Sequence, residues 1–266
     1  MNLGFIGAGN MASALVTGTV KGAVLPAGQV HVYDINAEKT REMQARLGVT
    51  PACDCEKMIK DCDMVVLAVK PNVAGKVLAQ YRRALSGKAL ISIAAGWTTE
   101  MLAKALDPAT RILRVMPNTP ALCGVGMTAF SLAHTLTEDE KGFAESMFRS
   151  LGLLEWVHEY QMEAVIGVSG SGPAYAYLFI EALADAGVLL GLTRAQSLEM
   201  AAQTLKGSAE MVLTTGRHPG ALKDDVCSPG GTTIVAVRTL EEKGLRAAVI
   251  GAAVAAAEKA EGMGKA

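Results

Sequence analysis

Two short stretches, at opposite ends of the 266-residue chain, carry residue types and spacings that could do chemistry. Near the start, GFIGAGNMA places Gly7-x-Gly9-x-x-Ala12 directly after a β-like run and before a helical one. Gly7 permits a tight turn, Gly9 lets the backbone approach a pyrophosphate, and Ala12 lets helix and strand pack closely. The N–H groups at such a helix start have no intrahelical partner and face a phosphate. Near the end, VCSPGGTTI (226–234) puts a proline, two glycines and two threonines before another apolar helical pattern. It reads either as a turn between helices or as a backbone cradle for a second anion.

Asp34 closes the next β-like run, QVHVYD. An acidic residue there accepts hydrogen bonds from a ribose 2′-OH and repels a 2′-phosphate, which favours NAD. Asn36, Lys39 and Arg41 follow and could hold a 2′-phosphate if Asp34 turns away; Lys39 and Arg41 read equally as a solvated helix face. The residues by themselves leave NAD and NADP open. Two further loops, Ala68-Val69-Lys70-Pro71 and Met116-Pro117-Asn118-Thr119-Pro120, fall at the carboxyl ends of predicted strands, where open α/β sheets bind ligands. Lys70 is expected to contact a cofactor, while Asn118 and Thr119, between prolines, could equally form a rigid turn.

Other groupings carry less. Cys53, Cys55 and Cys62 offer one CxC and no fourth ligand nearby, so no metal site is expected and the thiols are read as surface or half-buried. In GVSGSG (167–172) the G-x-S-x-G pattern fails, and the strand-turn-helix context of a hydrolase nucleophile is missing. His31, His134, His158 and His218 are scattered, with no triad or metal spacing, and Cys227 reads as packing.

Positioning the two stretches needs two kinds of architecture. Strands are predicted at 2–7, 29–34, 63–69, 89–95, 111–117, 126–132 and 153–157, alternating with helices near 10–22, 37–47, 73–85, 98–106 and 137–151. DMVVLAV is continuously apolar, as expected of a strand buried on both faces. The alternation predicts a mostly parallel sheet with helices on both sides. After about residue 160 the strands stop, and 161–190, 194–215, 219–227, 232–243 and 245–260 read as helices, with Pro173 marking a kink or a fresh start. The division is therefore 1–159, α/β and dinucleotide-binding, and 160–266, all-helical. So many apolar helices exceed what one small core needs, and the small-sided GAAVAAAEKA lets helices approach closely, so a helical dimer interface is expected.

The chain has a formal net charge of −1 and no basic stripe, which argues against a nucleic-acid partner. No apolar stretch approaches a membrane span, and five cysteines with no recognisable signal peptide fit a reducing, cytoplasmic compartment.

VSGSGPAYAYLFIEALADAGVLLGL and HPGALKDDVCSPGGTTIVAVRTLEEKG resemble the pyrroline-5-carboxylate reductase family, and GFIGAGNMA, LAVKP, SIAAG and MPNTP match it in the same order. The resemblance spans nearly the whole chain, and SPGGTT is its most specific part. It implies an α/β N-terminal Rossmann-type domain, an all-α C-terminal dimerisation domain, and a homodimer that in many members forms a ring of five dimers. It implies reduction of L-1-pyrroline-5-carboxylate to L-proline, the last step of proline biosynthesis, with NADPH and also NADH as hydride donors. By position, Ile6, Gly7, Ala8, Gly9, Asn10 and Met11 should line the pyrophosphate. Ala68, Val69, Lys70 and Pro71, with Ala94 and Ala95, should flank the ribose and nicotinamide. Ser228, Gly231, Thr232 and Thr233 should bind the substrate carboxylate and ring nitrogen. Thr233 is expected to hydrogen-bond the imine nitrogen, as proton donor or through a water; it reads also as a helix N-cap. Asp225 departs from members that carry Asn there, which puts a contact to the neighbouring subunit's cofactor in doubt. Hydroxyisobutyrate and phosphogluconate dehydrogenases share the GFIGxGxM start, but neither Lys206 nor Lys223 sits in their catalytic-lysine motif, and SPGGTT has no place there.

Overall fold

The structure, a computed structural model, describes residues 1–263. By its internal contacts the chain falls into two compact units, Met1–Ser171 with the chain from Val254, and Gly172–Ala253.

The first unit is built on an eight-stranded sheet in the order β3-β2-β1-β4-β5-β6-β7-β8. Its strands are β1 (Leu3–Ile6), β2 (Val30–Tyr33), β3 (Thr50–Pro51), β4 (Met64–Leu67), β5 (Ala89–Ser92), β6 (Arg111–Met116), β7 (Gly126–Ser131) and β8 (Gly152–Val157). All pairings are parallel except β6–β7. The order reverses at β1, the switch point where such sheets bind ligands. The helices are α1 (Asn10–Lys21), α2 (Ala37–Leu47), α3 (Cys55–Asp61), α4 (Pro71–Tyr81), α5 (Thr99–Ala105), α6 (Glu138–Arg149) and the short α7 (Met162–Val165).

Side-chain alternation divides the core between the two faces. Leu3, Phe5, Met64, Val66 and Ile91 join one buried cluster, with Leu15 of α1 and Phe148 of α6. Ile6, Val65, Leu67 and Leu90 join the other, with Ile59 of α3 and Leu78 of α4. A strand covered on both faces needs apolar side chains in both registers, which is why β4 reads as an unbroken apolar run.

Local chemistry ends the helices where the pattern does. The Asn36 side chain accepts the Glu38 N–H at 3.0 Å to open α2, and Gly48, at φ 74°, closes it. Thr137 and Glu140 form a capping box on α6. α3 was not among the predicted helices. The Asp54 side chain caps it, and Cys55, Met58 and Ile59 form its buried stripe. Cys55 and Cys62 are therefore core residues, not surface thiols; burial pushes them up to about 11 and about 12, so both stay protonated and unreactive.

After α7 comes one turn of π-helix, Ile166–Gly170, before α8 (Gly172–Leu189) opens with Pro173 in its first turn. Pro173 thus marks a fresh helix start, one of the two outcomes expected. The second unit holds α8, α9 (Arg194–Thr215), α10 (Pro219–Asp225), α11 (Thr232–Glu242) and the first part of α12 (Leu245–Met263). Its described residues bury only Ala184, Ser197 and Ala201, whereas Leu178, Leu189, Leu190, Leu213, Val235 and Ile250 are exposed. An all-helical unit with this little internal core leaves apolar faces that need a partner.

Ser197 of α9 packs against Gly187 of α8 so closely that a Cβ on Gly187 would stand 2.6 Å from its hydroxyl. That hydroxyl is buried and has no hydrogen-bond partner among the described residues. Ser197→Ala removes an unsatisfied polar group and is expected to raise the free energy of unfolding by about 1 kcal/mol, read from urea denaturation.

Candidate active site

β1 ends at Ile6, and Gly7 turns the chain toward α1. Gly7 has φ 106°, a conformation costly for any other residue, and a Cβ there would stand 2.5 Å from the Ala68 carbonyl oxygen. The loop therefore crosses close over the end of β4. Its amide donates to the Tyr33 carbonyl at 2.7 Å, which fixes it against β2 as well. Gly9 is the N-cap of α1 and has nothing within 4 Å of where a Cβ would be. Glycine there leaves space for a ligand instead of relieving a clash. α1 has no side-chain cap and no acidic residue in its first turn, so its free N–H groups and positive dipole end meet whatever enters. Ala12 is buried at the sheet, as the third position of the fingerprint requires.

A cavity of about 510 Å³ opens on this loop. Of the sequence-predicted residues, it brings together Ile6, Gly7, Gly9, Asp34, Lys39 and Ala68 to Lys70. Tyr33, Val73, Val77 and Tyr81 add an apolar wall that the sequence reading did not single out, suited to the flat face of a base. Ala8, Asn10, Met11, Pro71, Ala94 and Ala95 belong to the same three loops but do not line this cavity. Asp34 points into the glycine loop, its Oδ2 accepting the Ala8 N–H at 2.7 Å. A glycine turn at a switch point, free helix N–H groups and an adjoining apolar wall fit a dinucleotide.

Trp97 joins two of the loops: its Nε1–H donates to the Pro71 carbonyl at 3.1 Å, tying the start of α4 to the segment after β5. Asn118, buried between its two prolines, donates to the Ser169 carbonyl at 3.1 Å and accepts the Met127 N–H at 2.9 Å. The MPNTP loop is thus a rigid turn clamped to β7 and to the π-helical turn.

A charged knot lies below these loops, and sequence reasoning missed it. Arg114, in the middle of β6 and almost fully buried, reaches Glu159 at 2.8 Å and Glu163 at 3.0 Å. Glu159 also accepts from Thr99 N (2.9 Å), Thr99 Oγ1 (3.0 Å) and the Ser131 hydroxyl. Burial pushes the Glu159 carboxyl up, but the hydrogen bonds from Ser131, Thr99 and Arg114 outweigh it and hold the group below its ordinary value. A cation inside the apolar run RILRVM was the available signal, since a buried charge requires a partner.

The second stretch lies in the helical unit. Gly231 N–H donates to the Ser228 carbonyl at 3.0 Å, and Gly230 has φ 70°. Proline at the second position and a positive φ at the third make a type II turn. A Cβ on Gly231 would overlap the Ser228 hydroxyl, so that second glycine lets the hydroxyl sit against the start of α11. Gly231, not Thr233, is the N-cap of α11; there is no side-chain cap and no acidic residue in the first turn. The N-cap reading of Thr233 is therefore corrected. Thr232 is exposed and Thr233 half-buried. Asp225 is exposed and paired with Arg217 at 2.7 Å; the hydrogen bond from Arg217 holds its carboxyl below the ordinary value.

Residues 159–263 match the family model described as pyrroline-5-carboxylate reductase dimerisation, and residues 2–96 match one described as NADP oxidoreductase coenzyme F420-dependent. The chain is 47% identical to the pyrroline-5-carboxylate reductase of Escherichia coli, over 99% of this chain and 98% of that one. It is 42% identical to that of Arabidopsis thaliana, over 97% and 93%. A Plasmodium falciparum pyrroline carboxylate reductase, solved with NADP bound, superposes with a TM-score of 0.91 at 36% identity, covering 99% of this chain and 98% of that one. No helix among the described residues is long and apolar enough to cross a membrane. With two relatives this similar along almost its whole length, the chain belongs to the pyrroline-5-carboxylate reductase family.

Proposed function

We propose that this chain reduces L-1-pyrroline-5-carboxylate to L-proline with NADPH or NADH, as the last step of proline biosynthesis in the cytoplasm. The observation that carries this reading is the turn Ser228–Gly231, which presents a hydroxyl and the uncapped N-terminus of α11 to an anion. That arrangement suits the substrate carboxylate, while the loop from Ile6 to Met11 suits the cofactor's pyrophosphate. Bound reduced nicotinamide supplies the hydride that adds to the imine carbon.

The chain's own residues position and charge the reactants. Ser228, Gly231 and Thr232 hold the carboxylate. The Thr233 hydroxyl, left free because Gly231 caps the helix, hydrogen-bonds the ring nitrogen and directs a proton to it. Ala68, Val69, Lys70 and Pro71, with Ala94 and Ala95, flank the nicotinamide and ribose, and the Trp97–Pro71 bond keeps the two loops in register. Asp34 borders the adenosine ribose. The functional division is residues 1–159 for the dinucleotide and 160–266 for substrate and subunit association. The exposed apolar helices support a homodimer, the family resemblance extends that to a ring of five dimers, and a net charge of −1 supports small molecules over nucleic acid as ligands.

The test is initial-rate kinetics with purified protein, following nicotinamide absorbance while pyrroline-5-carboxylate is varied, with proline identified chromatographically. Oxidation that saturates with the imine and yields proline one-for-one is expected. Dinucleotide binding without proline formation contradicts the reading.

A further inference from the structure

The Asp34 carboxylate is held by the main chain through both oxygens. Oδ2 accepts the Ala8 N–H at 2.7 Å, and Oδ1 accepts the Asn36 N–H at 2.8 Å. It has not turned away from the loop, as a 2′-phosphate site built on Lys39 and Arg41 would require. An ionised carboxylate has about four lone-pair positions, so about two remain for a ligand. Beside Asp34 the cavity offers a phosphate one cation, Lys39. Ile35, 95% exposed, has no donor on its side chain, and the Asn36 side-chain oxygen is committed to the start of α2. Arg41 does not line the cavity; among the described residues its cations are Lys39 and Lys70, and Lys70 is the N-cap of α4, away from the end of β2 in the strand order.

We propose that Asp34 sets cofactor choice in this chain and makes NADH at least as good a ligand as NADPH. Its free lone pairs accept the ribose hydroxyls of NADH, and its fixed negative charge opposes the 2′-phosphate of NADPH. Discrimination comes from a like charge that cannot move aside, because moving it would orphan the Ala8 and Asn36 amides. The inference rests on the reductase reading for the identity of the ligand, and not on turnover.

The experiment is calorimetric titration of the whole protein with NADH and with NADPH, without imine, for the parent chain and for Asp34→Asn, with Asp34→Ser as a second variant. The parent should bind NADH at least as tightly as NADPH. Each variant should move the ratio of the two dissociation constants by about tenfold or more toward NADPH, about 1.4 kcal/mol. General damage to the loop weakens both ligands and leaves the ratio alone. A ratio that stays within about twofold, or a parent chain that binds NADPH about tenfold tighter, overturns the proposal. Selective binding without reduction of the imine upholds it while removing the reductase reading; binding of neither dinucleotide overturns both.

Discussion

Glu159→Ala is expected to lower the free energy of unfolding by about 3 kcal/mol, the low end of what removing one partner from a buried ion pair costs, because Arg114 is buried but Glu159 is 27% exposed and Glu163 stays in place. Arg114 would remain, 3% exposed and charged, with Glu163 its one acidic partner among the described residues. Thr99 N–H, Thr99 Oγ1 and the Ser131 hydroxyl would lose their acceptor together. Glu159→Gln should fall between the two, since the amide keeps one acceptor and presents a donor to the others. Denaturant midpoints measure this, and a loss under about 1 kcal/mol for Glu159→Ala contradicts the role assigned to the knot. The pH dependence has a fixed sign. A carboxyl held below its ordinary value of 4.5 stabilises the fold fully above that pH, and the contribution is lost as pH falls through the lower folded value. Parent stability should therefore decline with acid below about pH 4.5, and Glu159→Gln should flatten that decline. Because Thr99 opens the helix that follows Ala94 to Trp97, the same variants should raise the KM for the dinucleotide more than they lower kcat.

The knot also shows where reading the sequence stops. Leu3, Phe5 and Ile6 are legible as a strand because alternate residues must satisfy two different helix layers, and every strand flanked by helices on both sides repeats that signature. The glycine loop is legible because each of its three small residues answers to a separate steric demand. Arg114 is not, because its partners lie 45 and 49 residues away and no local pattern pairs them. The reversed direction of β7 escapes for a related reason. Gly126 to Ser131 has the same apolar alternation whichever way it runs, and a connection from Met116 through a short 3₁₀ turn only permits the reversal. β3, two residues long, is too short for periodicity to mark. α3 was obscured because CDCEKMIKDC reads first as a cysteine cluster, whereas Cys55, Met58, Ile59 and Cys62, at helical spacing, mark a buried stripe and Cys53 stays exposed. In SPGGTT the residue types pointed to a turn and an anion, but which glycine does what depends on coordinates. Gly230 supplies the positive φ, and Gly231 supplies room for the Ser228 hydroxyl.

Replacing Thr233 tests the chemistry that this turn sets up. Thr233→Val keeps the shape and removes the hydroxyl, and we expect kcat/KM to fall by about 10²-fold or more, as for loss of a positioned proton donor. That corresponds to about 2.7 kcal/mol of transition-state stabilisation. Thr233→Ser retains the hydroxyl and should recover most of the rate. The fold should barely respond, because Gly231 caps α11 and the Thr233 side chain makes no cap bond to lose. Stability and rate are thereby separated in one variant, which a packing role would not allow. The pH profile separates two chemical roles. If the hydroxyl delivers the proton, its removal should cost most at high pH, where the imine arrives neutral. The deficit should shrink as pH falls and the substrate arrives already protonated, since an iminium needs its nitrogen held but no longer needs a donor. A deficit equal at every pH would assign the hydroxyl to holding the ring in place for the hydride. A Thr233→Val enzyme with parental kcat/KM throughout would remove Thr233 from the reaction and leave the carboxylate cradle of Ser228, Gly231 and Thr232 to orient the substrate alone.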